Sequence, residues 1–293
     1  MSEALLAPRA DMASTGTGFW RRALHHRSFV AGGTLTALLV ATAALSLIWT
    51  PWSPYIIDVP HRLQPGSAAH WLGTDPFGRD VASLLMTGAQ NSLIVGAVAV
   101  GIGLLTGVTL GLTAAARRGW TEELVMRFAD FTFAFPAILS AIMITAILGA
   151  GVVNSILAIG IYNIPIFARV SRAAANAIWA RDFILAARSA GKGRLRISLE
   201  HVLPNILSVI VVQATIQFAA AILAEAALSY LGLGTPPPRP SWGRMLNEAQ
   251  TLIFLAPQLA LFPGIAIALA VLGLNLMGDG LRDLIDPRLA RRR

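Results

Sequence analysis

The chain has no cysteine. That excludes disulfides, thiolate metal centres and thiol nucleophiles together. Charge is also scarce: 13% of the 293 residues are charged, against 55% hydrophobic, and mean hydropathy is +0.65. This balance suits a membrane protein rather than a soluble domain of the same length. No Gly-x-x-x-x-Gly-Lys-Ser/Thr loop is present to cradle a nucleotide phosphate. The nearest match, Gly191-Lys192-Gly193, is too short and lacks the hydroxyl that would hold magnesium, so the sequence does not read as an ATPase. Histidines are scattered: His25 and His26 lie in a basic segment, His61 and His70 in a later loop, and His201 at a helix entrance. They define no metal centre, and no cluster of His, Cys and carboxylate marks a membrane enzyme.

What the chain does have is uncharged length. Five stretches carry no Asp, Glu, Lys or Arg: 28–57, 91–116, 131–168, 201–224 and 249–278. A helix needs roughly 20 apolar residues to cross a bilayer, and a charge at its centre costs several kcal/mol. The third stretch, at 38 residues, is too long for one crossing, and Gly149, Ala150, Gly151 and Asn154 supply a hairpin break within it. Six transmembrane helices result, so the expected fold is an all-α integral membrane protein. The first span, 29–49, has 21 residues. A secretory signal has an apolar core of about 7 to 15, so a retained span is the reading.

Basic residues set the orientation. Of 23 Lys and Arg, 19 fall in segments on one side of the spans, and only Arg62, Arg79, Arg239 and Arg244 fall on the other. The positive-inside rule then puts both termini in the cytoplasm. The net charge of +8 follows from basic loops beside anionic lipid and requires no nucleic acid. The layout is a basic tail over 1–28, span 29–49, and an outer loop over 50–90 ending in an interfacial helix. A core over 91–278 follows, with helices near 92–116, 131–149, 152–169, 203–225 and 254–276. Within it lie a cytoplasmic loop over 171–202 and an outer loop over 232–250, and a tail over 279–293 closes the chain. Four prolines stiffen the second outer loop, while Trp52, Trp71 and Trp242 suit the headgroup zone. In the second span Gly96, Gly101, Gly103, Gly107 and Gly111 read as helix packing. Pro136, Pro165, Pro257 and Pro263 read as kinks.

The cytoplasmic loop is the most informative segment. Residues 171–190 are Ala-rich without Gly or Pro, which predicts one helix; Gly191 and Gly193 supply a turn, and a shorter helix follows from about 194 to 202. Pro204 fits the first turn of the next span. The resulting knuckle carries Arg181, Arg188, Lys192, Arg194 and Arg196 against Asp182 and Glu200, with Phe183, Ile184, Leu195 and Leu199 as apolar anchors. Such a mixture suits docking into a groove on a cytoplasmic protein. A basic loop resting on anionic lipid is the other reading of the same composition.

Spacing separates the two readings. Ala186 and Ala187 are followed by Arg188, by Gly191 and Arg194, and by Leu203 and Pro204, with Pro204 thirteen residues after Gly191. This resembles the Glu-Ala-Ala loop of ABC importer permeases, where a coupling helix engages an ATPase. Three further segments resemble the dipeptide, oligopeptide and nickel branch, second-permease type: Leu-Gly-Thr-Asp-Pro-Phe-Gly-Arg-Asp over 72–80, Leu-Ala-Glu-Ala-Ala-Leu-Ser-Tyr-Leu-Gly-Leu-Gly over 223–234 with Pro-Ser-Trp-Gly over 240–243, and Asn-Leu-Met-Gly-Asp-Gly-Leu-Arg-Asp-Leu-Ile-Asp-Pro-Arg over 275–288. Leu185 departs from the pattern by replacing the name-giving Glu, and His201 replaces an Ile common in the wider superfamily. The resemblance implies a type I ABC importer permease fold in a bacterial cytoplasmic (inner) membrane. It also implies a second homologous permease, two ATP-binding subunits that hold the ATP and magnesium, and a periplasmic or extracellular substrate-binding protein. The chain itself would hold no cofactor. Peptides are the leading implied solute, with nickel or another small solute as the alternative.

Polar groups at membrane depth are the candidates for lining a pathway: Asn154, Asn163, Gln213, Gln217 and Glu225. Two readings stand for three of them. Gln213 and Gln217 share a helix face and either line the path or bond a neighbouring helix. Glu225 either faces the path or bonds the rigid loop that follows it. A secondary transporter would need paired ionisable groups in repeated halves, which a single Glu225 does not provide.

Overall fold

A computed structural model describes residues 21–285. The tail residues before 21 and after 285, with the end of the fourth motif, lie outside the described residues. Helices and turns account for the regular structure, in the order α1 (Arg27–Leu45), α2 (Val81–Arg117), α3 (Gly119–Phe133), α4 (Ala137–Leu148), α5 (Val152–Trp179), α6 (Asp182–Ser189), α7 (Arg194–Ile197), α8 (Leu203–Tyr230), α9 (Trp242–Ala249) and α10 (Gln258–Ile285). Five stretches are long and apolar enough to cross a membrane, and the bent pair α3–α4 makes a sixth crossing if its halves form one span. Helix ends sort by charge. Those of α1, α2, α5, α8 and α10 that meet Arg27, Arg117, Arg181, Arg194 and Arg282 share the basic face, which the positive-inside rule assigns to the cytoplasm.

Several boundaries differ from the sequence expectation. Residues 81–90 are not a separate interfacial helix. Asp80 caps them through a 2.8 Å bond from the Ser83 amide, and they run unbroken into the second span. The resulting α2 is 37 residues long, about 55 Å at 1.5 Å per residue, well beyond the roughly 30 Å of hydrocarbon. Tertiary packing explains the continuity, because the outer turns of α2 are buried: Val81, Ser83, Leu84 and Ala89 are all at most 2% exposed. The helix expected over 131–149 is two helices, bent by 88°. Pro136 stands at the break, and α4 keeps only 12 residues. The last three spans run past the expected ends, to Trp179, Tyr230 and Ile285, while α1 stops at Leu45 and α10 starts at Gln258. Pro257 therefore precedes a helix rather than kinking one; Pro165 and Pro263 do lie inside helices. The outer loop over 232–250 contains α9, which was not anticipated.

Small residues hold the bundle together. A methyl group at Gly103 would overlap Asn163, one at Gly107 the Ile164 carbonyl and Phe167, and one at Gly111 Ser171 and the Ala168 carbonyl. The three glycines sit four apart on one face and let α2 and α5 approach backbone to backbone. Gly96 faces Phe218 of α8, whereas Gly101 meets nothing and takes no part in the packing. At the periphery α1 lies on α10, with Gly32 against Met277 and Gly273 against Leu35. The first span is thus packed into the fold. Overpacking a close helix contact costs about 1–3 kcal/mol or more. Gly107→Leu is therefore expected to lower the melting temperature in detergent by several degrees or to abolish the folded protein, while Gly101→Leu melts with the unaltered chain.

Candidate functional site

The described residues form a cytoplasmic knuckle, a cleft at membrane depth and an outer clamp. The knuckle begins where the expected single helix over 171–190 divides. α5 ends at Trp179, a turn at Ala180 and Arg181 follows, and α6 starts at Asp182. Helix propensity alone would continue the helix. The turn, however, lets Trp179 and Ile184, at 5% and 0% exposed, enter the same core. Ile197 and Val202 belong to the same core, as do Leu112 and Ala115 of α2.

α6 closes in a Schellman motif. The Gly191 amide donates to the Arg188 carbonyl (2.9 Å) and the Lys192 amide to the Ala187 carbonyl (3.1 Å), with Gly191 at φ +78°. Glycine takes that conformation without the steric cost that a β-carbon brings. α7 continues through a π turn over Ser198–Val202 into α8. Glu200 joins the two limbs, accepting from Lys192 Nζ at 2.7 Å and Arg196 Nε at 2.5 Å, and the His201 ring lies 2.9 Å from Lys192 Nζ. Arg188 stacks 5.1 Å above the Trp179 ring.

The coupling residues named from sequence therefore fall into two sets. Ala187 and the Gly191 turn build the seat. Ala186, Arg188 and Arg194 are exposed, and Leu203 and Pro204 open α8. Of the apolar anchors, Phe183, Leu195 and Leu199 are exposed at 45%, 73% and 53%, but Ile184 is fully buried and cannot dock a partner. Leu185, at the departing position, is exposed beside them.

The cleft, of about 440 Å³, opens between α4, α5 and α8. Of the five pathway candidates, Asn163 and Gln217 line it, and Asn154, Gln213 and Glu225 do not. Tyr162, which the sequence reading passed over, is the third polar group on its wall. The Asn163 amide nitrogen donates to the Ile159 carbonyl at 2.9 Å, and its Oδ1 is buried without a partner. Asn154 instead closes the α4–α5 hairpin by donating to the carbonyls of Leu148 and Gly149, both at 2.9 Å.

Glu225 is not a lining residue. It is 1% exposed, and its carboxylate accepts from Ser92 Oγ (3.0 Å), Ser229 Oγ (2.7 Å) and Thr235 Oγ1 (3.4 Å). It thus ties α8 to α2 and to the loop beyond. A buried carboxylate needs such donors, which the serines and threonine supply.

The outer clamp is built from the segment over 72–80. Asp75 accepts from the amides of Phe77 and Arg79, both at 2.8 Å, and Gly73 and Gly78 take φ of +80° and +77°. Arg79 bridges Asp75 and Glu248 of α9, at 2.6 and 2.7 Å, with 11% of its side chain exposed. Trp242 is buried at 2% rather than anchored in headgroups. Its Nε1 donates to the Leu85 carbonyl at 3.0 Å. Trp52 and Trp71 remain exposed. The sequence showed this segment as a pattern, and nothing in it announced Glu248 as the partner of Arg79.

These features define a class. Residues 107–291 match the family of binding-protein-dependent transport system inner membrane components, and the chain belongs to that family. It is a multi-pass inner-membrane transport subunit with an all-helical type I permease fold. Among its relatives, a glutathione transport system permease protein of Pectobacterium atrosepticum is 43% identical over 92% of this chain and 90% of its own length. A dipeptide transport system permease protein of Alkalihalophilus pseudofirmus is 42% identical over 97% and 94%, and a di/tripeptide transport system permease protein of Pseudomonas aeruginosa is 42% identical over 92% and 91%. The fold is similar to that of a chain of the MetNI methionine ABC transporter in inward-facing form, with a TM-score of 0.58 at 18% identity, over 69% of this chain and 97% of that one.

Removing the carboxylate of Glu225 leaves its buried donors unsatisfied, at about 1–3 kcal/mol each. Glu225→Leu is expected to lower the melting temperature in detergent. Glu225→Gln, which keeps an acceptor, retains transport above half the unaltered rate; a tenfold loss in the Gln variant with normal folding would make the charge functional.

Proposed function

We propose that the chain is the permease subunit of an ATP-driven, binding-protein-dependent importer of di- or oligopeptides. It forms the translocation path with a second, similar permease. Two ATP-binding subunits dock on residues 181–204, and a substrate-binding protein delivers solute at the outer face. The observation that carries this reading is the knuckle. Phe183, Leu185, Leu195 and Leu199 stand exposed on a platform whose underside is locked into the transmembrane core by Trp179, Ile184, Ile197 and Val202. Exposed apolar side chains among charges of both signs suit a protein groove, and a rigid seat transmits displacement. Arg188, Arg194 and the alanines at 186 and 187 complete the docking face and its support.

The cleft supports the solute class. Asn163, Gln217 and Tyr162 are neutral hydrogen-bonding groups set among alanines and Ile138, Ile159 and Leu223. Such a wall matches amide groups and mixed side chains. A nickel ion would call for carboxylate, imidazole or thiolate ligands, and this wall offers none of them. The fully bonded position of Glu225 likewise speaks against its use as a proton carrier in a stand-alone transporter. ATP and magnesium belong, in this reading, to the partner subunits.

The test is uptake by the complete complex in proteoliposomes, with binding protein outside and ATP inside. Labelled dipeptide is expected to accumulate only with ATP, and nickel is not; ATP-independent, proton-driven uptake would overturn the reading. In the same preparation Gly191→Pro, which forbids the positive φ and deletes the amide bonded to Arg188, is expected to cut uptake at least tenfold while ATP hydrolysis persists. Unchanged uptake would remove residues 181–204 from coupling.

A further inference from the structure

We infer that Arg169 is a positioning residue that holds the cytoplasmic floor of the cleft closed by pinning Phe133 against Tyr162. The inference rests on the cleft being the solute passage. α5 runs from the outer to the cytoplasmic face, α4 and α8 in the opposite sense. Tyr162 and Asn163 are accordingly the innermost wall residues on α5, Ala137 on α4, and Gln217 on α8. Phe133, the last residue of α3, adjoins this edge. Its ring meets that of Tyr162 edge-on, with centroids 6.0 Å apart and planes at 83°. The Arg169 guanidinium stands 4.5 Å from the Phe133 centroid and pairs with Asp130 one turn earlier on α3.

Tyr162 and Arg169 are two turns apart on one face of α5, so the helix grips a single ring of α3 at two points. A second pair holds the far end of α3, where Arg172 Nε donates to Glu122 at 2.6 Å. Each contact is individually weak, because aromatic edge contacts, cation–π contacts and exposed ion pairs all contribute little alone. A barrier made of several such contacts closes firmly and still opens under modest force. The force is available, since α5 leads directly into the knuckle at Trp179, and tilting α5 against α3 lifts Arg169 from Phe133. Phe133 also ends where α3 turns through 88° into α4. Its release therefore moves Ala137 and Ile138 of the cleft wall.

The experiment uses the whole complex in proteoliposomes loaded with labelled dipeptide and no ATP, and reads efflux. Arg169→Ala is expected to raise efflux at least tenfold over the unaltered complex, Phe133→Ala to do the same, and Arg169→Lys, which keeps the cation, to return it to within about threefold. A tight Arg169→Ala complex would overturn the inference. Should that variant fail to assemble, the absence of native cysteine allows Phe133→Cys with Tyr162→Cys. This pair lacks the ring contact, so cross-linking it is expected to lower efflux at least tenfold relative to its reduced form; efflux unaffected by the cross-link would overturn the inference. An unaltered complex that carries no dipeptide under ATP would sink the proposed function, whereas a complex that transports but stays tight as Arg169→Ala sinks only the gate.

Discussion

The close approach of α2 and α5 is the constraint on which the other features depend. Gly103, Gly107 and Gly111 remove the side chains that would otherwise separate the two helices. In lipid, where apolar surfaces gain little by meeting each other, such contact rests on van der Waals packing that a single added methyl group would break. The seam sets the height and rotation of α5. From that follow the position of Asn163 on the cleft wall, the reach of Arg169 and Arg172 to α3, and the point at which Trp179 enters the core beneath the knuckle. Sequence, packing and site are thus linked through three residues that have no side chains.

The two faces of the molecule use different physics. At the outer clamp, polar groups are buried and matched: Asp75, Arg79 and Glu248 form one ionic chain, and Asp80 caps α2 while meeting His70 at 3.0 Å. Breaking such a set strands the remaining charges, which makes it rigid. On the cytoplasmic side the ion pairs are more exposed, as with Arg169 and Asp130 at 46% and 61%. Solvent screens them and they exchange partners at low cost. The outer frame is thus the fixed one and the inner frame the more labile.

Much of this was legible in the sequence. Absence of charge located the membrane segments, and the basic residues oriented them, because both effects act residue by residue. The Gly191 turn and the helix entering at Pro204 were readable for the same reason, being local conformational requirements. What escaped depended on partners distant in the chain. The turn at Ala180 arises because Trp179 and Ile184 seek one core, against the propensity of an Ala-rich run. Residues 81–90 join α2 because Trp242 and its neighbours cover them. Glu225 looked like a lone membrane carboxylate because Ser92, its donor, lies 133 positions away. Tyr162 and Phe133 had no motif to announce them.

The length of α2 has a mechanical consequence. It runs unbroken, without proline, from the Asp80 cap beside the outer clamp to Arg117 beside the knuckle. Other helices carry prolines or breaks: Pro165 in α5, Pro263 in α10, and the break between α3 and α4. Without an internal proline and packed along its length against α5 and α8, this helix is held straight by its neighbours. It forms one continuous shaft along which the bundle is packed, so that the outer clamp and the cytoplasmic knuckle are referred to one common axis.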